Sequence, residues 1–258
     1  MRRVKDMVRV MSFNLRCANV GEREQWDRVD DCVTEILQSG CELLGVQEAT
    51  PEWMADLTKN LEGWNYYGIG RGDSKGGESE YSAIFYKMDR FEVLDGGNFW
   101  YSDTPDVMSK CWTSYHNRIC TWALFYDKKE DKKFVHVNTH MDCDFDLIYK
   151  SIPILKEKIM PMMNYPLSLS GDFNSFQNGR EYNEIIKFMK DSKFEAPDSM
   201  DYLTYHDDCP EKHEGHIIDF IFINDKVKAH KYRVCKDKIN GNYSSDHFAI
   251  YADLEYDA

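Results

Sequence analysis

Short apolar runs rich in branched and aromatic residues recur along the whole chain, and several of them end on a polar residue. The runs are Val8–Phe13, Leu43–Gln47, Tyr66–Ile69, Ser82–Tyr86, Phe91–Phe99, Ile119–Tyr126, Phe134–Thr139, Leu167–Gly171, His216–Ile223, Ala229–Val234 and Phe248–Leu254. Most are bounded by Gly, Asn, Asp or charge, as strands are. Helical periodicity is confined to a few segments. Trp26–Leu37 puts Trp26, Val29, Val33, Ile36 and Leu37 on one face, with Gly40 as a stop signal. Thr50 caps a second helix, with Pro51 at its first position and Trp53, Leu57 and Leu61 as its stripe. Further helices are expected near Asp146–Ile159, with a disturbance at Pro153, and at Glu181–Met189. Many strands with few helices predict an α/β (α+β) chain in which two sheets pack face to face and helices lie outside. No repeat, low-complexity stretch or linker interrupts residues 1–258, so one domain is expected. The lysine-acid run Asp127 to Lys133 reads as a solvated hairpin tip.

Charge narrows the partners. Lys plus Arg is 32 and Asp plus Glu is 45, a formal net charge of −13. Such a surface repels nucleic-acid phosphates at long range, so a nucleic-acid substrate would need a local basic strip or metal ions. A small phosphate ester needs only the site itself. None of the 8 cysteines forms a Cys-x-x-Cys pair, which argues against a zinc knuckle and for reduced, partly buried thiols. Met1 to Val10 has no apolar export segment, and no run reaches the length of a membrane span. A cytoplasmic protein with no obligatory protein partner is the expectation.

The polar segments at the strand ends are Ser12-Phe13-Asn14, Val46-Gln47-Glu48, Asn138-Thr139-His140, Gly171-Asp172-Phe173-Asn174, Ile218-Asp219-Phe220 and Ser245-Asp246-His247. Taken singly, each has a plain structural reading. Glu48 faces the start of a helix, Asp172 and Asn174 suit a turn, and a His after a strand is commonly a hydrogen-bonded structural residue. Asp219 is different, because a carboxylate between Ile218 and Phe220 is costly unless paired. An imidazole is its natural partner. As a set, the residues suit phosphate-ester cleavage: oxygen donors for Mg2+ or Mn2+, a carboxylate to activate water, and donors for phosphate oxygens. No Gly-x-x-x-x-Gly-Lys loop, Gly-x-Ser-x-Gly elbow or His-Glu-x-x-His helix is present.

The set Asn14, Glu48, His140, Asp172, Asn174, Asp219, Asp246 and His247 resembles the endonuclease/exonuclease/phosphatase superfamily of deoxyribonuclease I-like fold, in order and over nearly the whole chain. That resemblance implies a four-layer sandwich of two mainly antiparallel β-sheets with helices on the outer faces, and one or two Mg2+ or Mn2+ ions. It implies that Glu48 is the principal metal ligand, with Asn14 and Asp246 completing or orienting the metal shell. Asp172, helped by Asn174, would orient and deprotonate water. His247, supported by Asp219, would contact the scissile phosphate, and His140 would hold another phosphate oxygen. Glu80 stands where deoxyribonuclease-like members pair an acid with the histidine matching His140; a surface acid at a strand start is the alternative. Arg118 is either a substrate-phosphate contact or half of a salt bridge. The segments around Glu80, Trp100 and Arg118 resemble a bacterial branch of metal-dependent hydrolases. The acidic stretch Asp207–Glu214 argues against tight duplex binding.

The expected activity is a metal-dependent phosphodiesterase or phosphatase on a small or medium-sized ester. A DNA or RNA nuclease is the alternative, in which Trp100, Tyr101, Trp112 and Tyr115 either stack bases or pack as core or rim. A non-catalytic binding module of the same fold ranks last.

Overall fold

A computed structural model describes residues 7–72, 79–207 and 215–256. The elements begin β1 (Val8–Asn14), α1 (Gln25–Ser39), β2 (Leu43–Gln47), α2 (Pro51–Asn60), β3 (Trp64–Tyr67), β4 (Ile84–Lys87), β5 (Phe91–Trp100) and β6 (Ile119–Asp127). They continue as β7 (Lys132–His140), α3 (Phe145–Ile159), β8 (Leu167–Asp172), α4 (Arg180–Ile185), β9 (Lys190–Asp191), α5 (Ser192–Glu195) and β10 (Asp198–Ser199). The chain closes with β11 (Asp219–Ile223), β12 (Val227–Val234) and β13 (Ile250–Tyr256).

One sheet has the order β10-β12-β13-β1-β2-β4-β3 and the other β5-β6-β7-β8-β11-β9. Both are mixed and mostly antiparallel, with one parallel pair at each centre, β1 with β2 and β7 with β8. Those pairs decide where the polar segments go. Parallel register sets Asn14 beside Gln47 and His140 beside Asp172, so the strands leave the sheets on one rim. β11 runs antiparallel to β8 and begins there, with Asp219 opposite Asp172. β13 runs antiparallel to β1, so the segment before it, Ser245-Asp246-His247, reaches the same rim.

Three apolar clusters build four layers. Val8, Leu43, Ile84, Phe125, Phe134, Ile221 and Ile250 fill the space between the sheets. α1 and α2 cover one outer face through Val29, Ile36, Trp53 and Leu57, and α3 and α4 cover the other through Ile148, Ile152, Leu155 and Tyr182. Towards the rim the inter-sheet space turns polar. Asn138 donates to the carbonyls of Val46 (2.8 Å) and Ala83 (3.0 Å) and accepts from Gln47 Nε2 (2.7 Å) and Ser170 Oγ (3.1 Å). His136 lies between Ser168 and Ser170, and burial pushes its pKa down to about 3, so it serves as a neutral hydrogen-bonding ring. Gly45 is what lets the sheets approach, since a Cβ there would stand 2.4 Å from Asn138 Oδ1. The seam clamps β2, which leads to Glu48, onto β7 and β8, which lead to His140 and Asp172.

Several expectations change. β3 starts earlier than expected and Ile69 lies outside it, exposed. α3 runs through Pro153 without a break, and α4 ends at Ile185 because the chain turns into β9. Asp127 is not part of a solvated tip: it is buried, bound by Arg90 Nε (3.0 Å), Arg90 Nη2 (2.8 Å) and the Tyr256 hydroxyl. On α1, Trp26 and Leu37 are 70% and 52% exposed, whereas Arg28, Asp31 and Glu35 are buried. The helix turns a polar stripe inward because loops rich in free carbonyls lie against it. Asp207 is the single described residue of the stretch Asp207–Glu214; residues 208–214 lie outside the described residues.

Candidate active site

The residues of the six segments converge on one rim pocket. A cavity of about 380 Å³ is bordered by Glu48, Glu80, Arg118, His140, Asp172, Asn174 and His247. Asn14 bridges the two sheets, its Nδ2 donating to Glu48 Oε1 (3.1 Å) and Asp172 Oδ2 (2.9 Å). Glu48 and Asn174 adopt φ of 54° and 47°, the left-handed region that non-glycine residues rarely enter. The kinks turn the chain just past β2 and β8. Asp172 Oδ1 accepts from the Asn174 N–H at 2.9 Å. Its Oδ2 faces two imidazoles, His140 Nε2 at 3.5 Å and His247 Nε2 at 3.8 Å. Asn174 Nδ2 lies 3.2 Å from His140 Nε2. His247 Nδ1 meets Asp219 Oδ2 at 2.9 Å, the pairing that a carboxylate inside an apolar strand demands.

Electrostatics separate these groups. Burial works against charge on Glu48, but the Cys17 N–H (2.9 Å) and the Asn14 amide bond its oxygens and favour the ionised form, so the carboxyl lies below its ordinary value. Burial and the nearby Arg118 keep His140 neutral, well below its ordinary value. Burial also opposes charge on His247, yet Asp219 and Asp172 raise it to about 10, so the ring is cationic near neutrality. Burial and the neighbouring Asp219 push Asp172 up to about 7. One carboxylate is thus firmly ionised and another is poised near neutral pH.

The donor chemistry fits a hard divalent cation. Glu48 offers an ionised carboxylate, Asn14 an amide oxygen and Asp246 a buried carboxylate. A second grouping also exists among the described residues: Asp172, Asp219 and His247 have ligand atoms within 4.8 Å of one another. There the cationic His247 already sits between the two acids, which disfavours a further positive ion.

The two ambiguous residues resolve in part. Glu80 binds Arg71 through both oxygens (2.9 and 2.6 Å) and lies 3.9 Å from His140 Nδ1, so it belongs to the site's edge and is no free surface acid. Arg118 lines the pocket and also pairs with Asp142 at 3.2 Å. Trp100 and Tyr101 are buried, held by the Arg71 carbonyl and Thr139, whereas Tyr115 is 96% exposed. Sequence reasoning missed Arg16, Arg71 and His116, which add positive or titratable character to the pocket. Arg16 lies 3.3 Å from Asp246, and its place two residues past Asn14 was the available signal. The exposed thiols of Cys17 and Cys143 also line the pocket; burial pushes both pKa values up, so neither is a ready thiolate.

The polar stripe of α1 holds the loops that carry site residues. Arg28 donates to the carbonyls of Leu15 (2.8 Å), Ser244 (2.7 Å), Arg16 (2.7 Å) and Ala18 (3.0 Å). Glu35 accepts from the Ser244 hydroxyl, and burial raises its pKa to about 8. The folded chain therefore holds this proton more tightly than the unfolded chain does. The stabilising contribution is complete below pH about 4.5 and is lost as pH rises through about 8. In Glu35→Gln that loss is absent, so the variant's urea midpoint should gain on the parent's between pH 5 and 8. A constant difference across that range would show that Glu35 titrates normally.

The fold is matched in known proteins. A crystal structure of the endonuclease/exonuclease/phosphatase from Bacteroides vulgatus is 31% identical, covers 98% of this chain and all (100%) of its own, and superposes with a TM-score of 0.90. The chain belongs to the endonuclease/exonuclease/phosphatase family. A second member of that family fold, a mannosyl-6-phosphatase from Bacteroides thetaiotaomicron, is 29% identical over 96% of this chain and 100% of that one, with a TM-score of 0.89. An uncharacterised protein of Acanthamoeba polyphaga mimivirus is 41% identical over 81 residues, a match spanning 30% of each chain. No family model matches the chain. No helix among the described residues is long and apolar enough to cross a membrane.

Proposed function

We propose that this endonuclease/exonuclease/phosphatase family chain is a divalent-metal-dependent phosphoester hydrolase acting on a small or medium-sized ester. The convergence of Glu48, Asp172, His140 and His247 on one cation-lined pocket carries the reading. Glu48, Asn14 and Asp246 would hold one or two Mg2+ or Mn2+ ions, which when bound screen the charge that develops on a phosphate oxygen. Asp172, oriented by Asn14 and the Asn174 N–H, takes the proton of the attacking water as the water oxygen bonds to phosphorus and the ester P–O bond breaks, and the departing oxygen takes a proton from solvent and leaves as the alcohol. His247, fixed by Asp219, presents Nε2–H to the phosphate as charge accumulates. His140 and Asn174 hold a further phosphate oxygen, and Arg118 and Arg16 add positive potential.

A phosphate monoester suits this pocket better than a polynucleotide. The net charge is −13, and of the four aromatics weighed for base stacking Trp100 and Tyr101 are buried, which leaves the half-buried Trp112 and the exposed Tyr115. The likeness to a mannosyl-6-phosphatase supports the same choice. The free thiols among the described residues fit the reducing cytoplasm.

The test is a panel of sugar phosphates, nucleotides, bis(p-nitrophenyl) phosphate and labelled oligonucleotides, assayed with Mg2+ and with Mn2+. Phosphate release from small esters that stops on adding a chelator is expected. Cleavage of oligonucleotides alone, or turnover that survives the chelator, would contradict the proposal.

A further inference from the structure

Three aromatic rings stand in a row at the pocket's edge, each two residues from a residue that lines it. Phe145 follows Cys143, Phe176 follows Asn174, and His216 precedes Ile218. They come from three separate chain segments, yet their rings touch: Phe145 and Phe176 are 5.4 Å apart at their centroids, Phe176 and His216 4.4 Å. Phe145 and Phe176 are 43% and 41% exposed, and His216 is exposed as well. Each segment is pinned beneath its ring. Asp144 caps α3 through the N–H groups of Asp146 and Leu147, the Phe176 carbonyl accepts from Gly179, and Gln177 donates to the Ile217 carbonyl at 3.1 Å. A fixed, solvent-facing aromatic shelf is poorly explained by packing of the core. Tyr205, 5.0 Å from the His247 ring, brings a further aromatic to the pocket itself.

Arg16, Arg71 and Arg118 line the pocket and provide charge for an anion, while the neighbouring shelf offers aromatic faces tilted by 58° and 44° to one another. We infer that the shelf of Phe145, Phe176 and His216 binds the leaving group of the ester, and that this group is a flat-faced ring. The inference rests on the phosphoester reading and adds the substrate's class to it. With the phosphate between His140 and His247, the shelf would be reached across Asn174 and Ile218, the lining residues two positions from Phe176 and His216. A pyranose, through the C–H groups on one side of its chair, and a nucleobase, through its π face, share the required chemistry, a ring face able to pack on an aromatic ring.

The test compares a hexose 6-phosphate, a nucleoside 5′-monophosphate and ringless glycerol 3-phosphate, in the parent and in Phe176→Ala and Phe176→Tyr. The parent should favour one ring-bearing ester, and which one identifies the source of the ring. In Phe176→Ala the ratio of kcat/KM for that ester over glycerol 3-phosphate should fall roughly tenfold, mainly through KM. Phe176→Tyr should retain the ratio. Should Phe176→Ala fail to fold, Phe145→Ala reads the same ratio. An unchanged ratio would overturn the inference, and so would a parallel loss on all three esters, which would make the shelf a scaffold for Asn174. Absence of turnover on every ester by the parent would instead overturn the phosphoester reading, and the inference with it.

Discussion

Asp172→Asn is expected to lower kcat for metal-dependent ester hydrolysis by about 10³-fold, the scale of a lost general base. It should leave the urea unfolding free energy within about 1 kcal/mol of the parent's. The two expectations have one cause. Asp172 is buried beside Asp219, so its charge is costly in the resting protein. An amide keeps the shape and accepts the Asn174 N–H bond, but it cannot take a proton from water. Removal of the charge offsets the misfit that an amide meets at Asn14. A variant that kept its rate within tenfold would remove Asp172 from the chemistry. A variant that unfolded would show that the carboxylate is structural.

Arg28→Met should cost about 3–5 kcal/mol of stability, because a buried cation is removed and four main-chain carbonyls lose their donor. Arg28→Lys should recover little, since an ammonium cannot reproduce the planar fork that reaches four oxygens. Rate should fall too, even in the folded fraction. The carbonyls of Leu15 and Arg16 follow Asn14, and that of Ser244 immediately precedes Ser245-Asp246-His247. Urea titration and kcat under native conditions report the two effects separately. A stability change below about 1 kcal/mol would mean that solvent replaces the guanidinium, contrary to its full burial.

Arg28 also marks the boundary of what a single sequence discloses. The strands were legible because each is a short apolar run closed by a turn residue, and Leu43–Gln47 falls where it was expected. The candidate site's acids, amides and imidazoles stand at strand ends, and parallel register carries them to one rim, which is why their gathering was legible. Two-residue strands such as Lys190–Asp191 leave no periodicity to detect. The inward side of α1 was hidden for a different reason. Nothing in the sequence around Arg28, Asp31 and Glu35 announces that the loops at residues 15–18 and 244 lie across them. Asp127 misled in the same way, since its partners Arg90 and Tyr256 are remote in sequence. Arg71 and Glu80, nine residues apart, meet as a bidentate pair that no local pattern announces.

A crystal of the protein soaked in Mn2+ with inorganic phosphate tests the central claim most directly. The account predicts an anomalous scattering peak within coordination distance of a Glu48 carboxylate oxygen, and phosphate oxygens within hydrogen-bond reach of His140 and His247. A rim pocket empty of both at saturating concentrations, or manganese held away from Glu48, would contradict it.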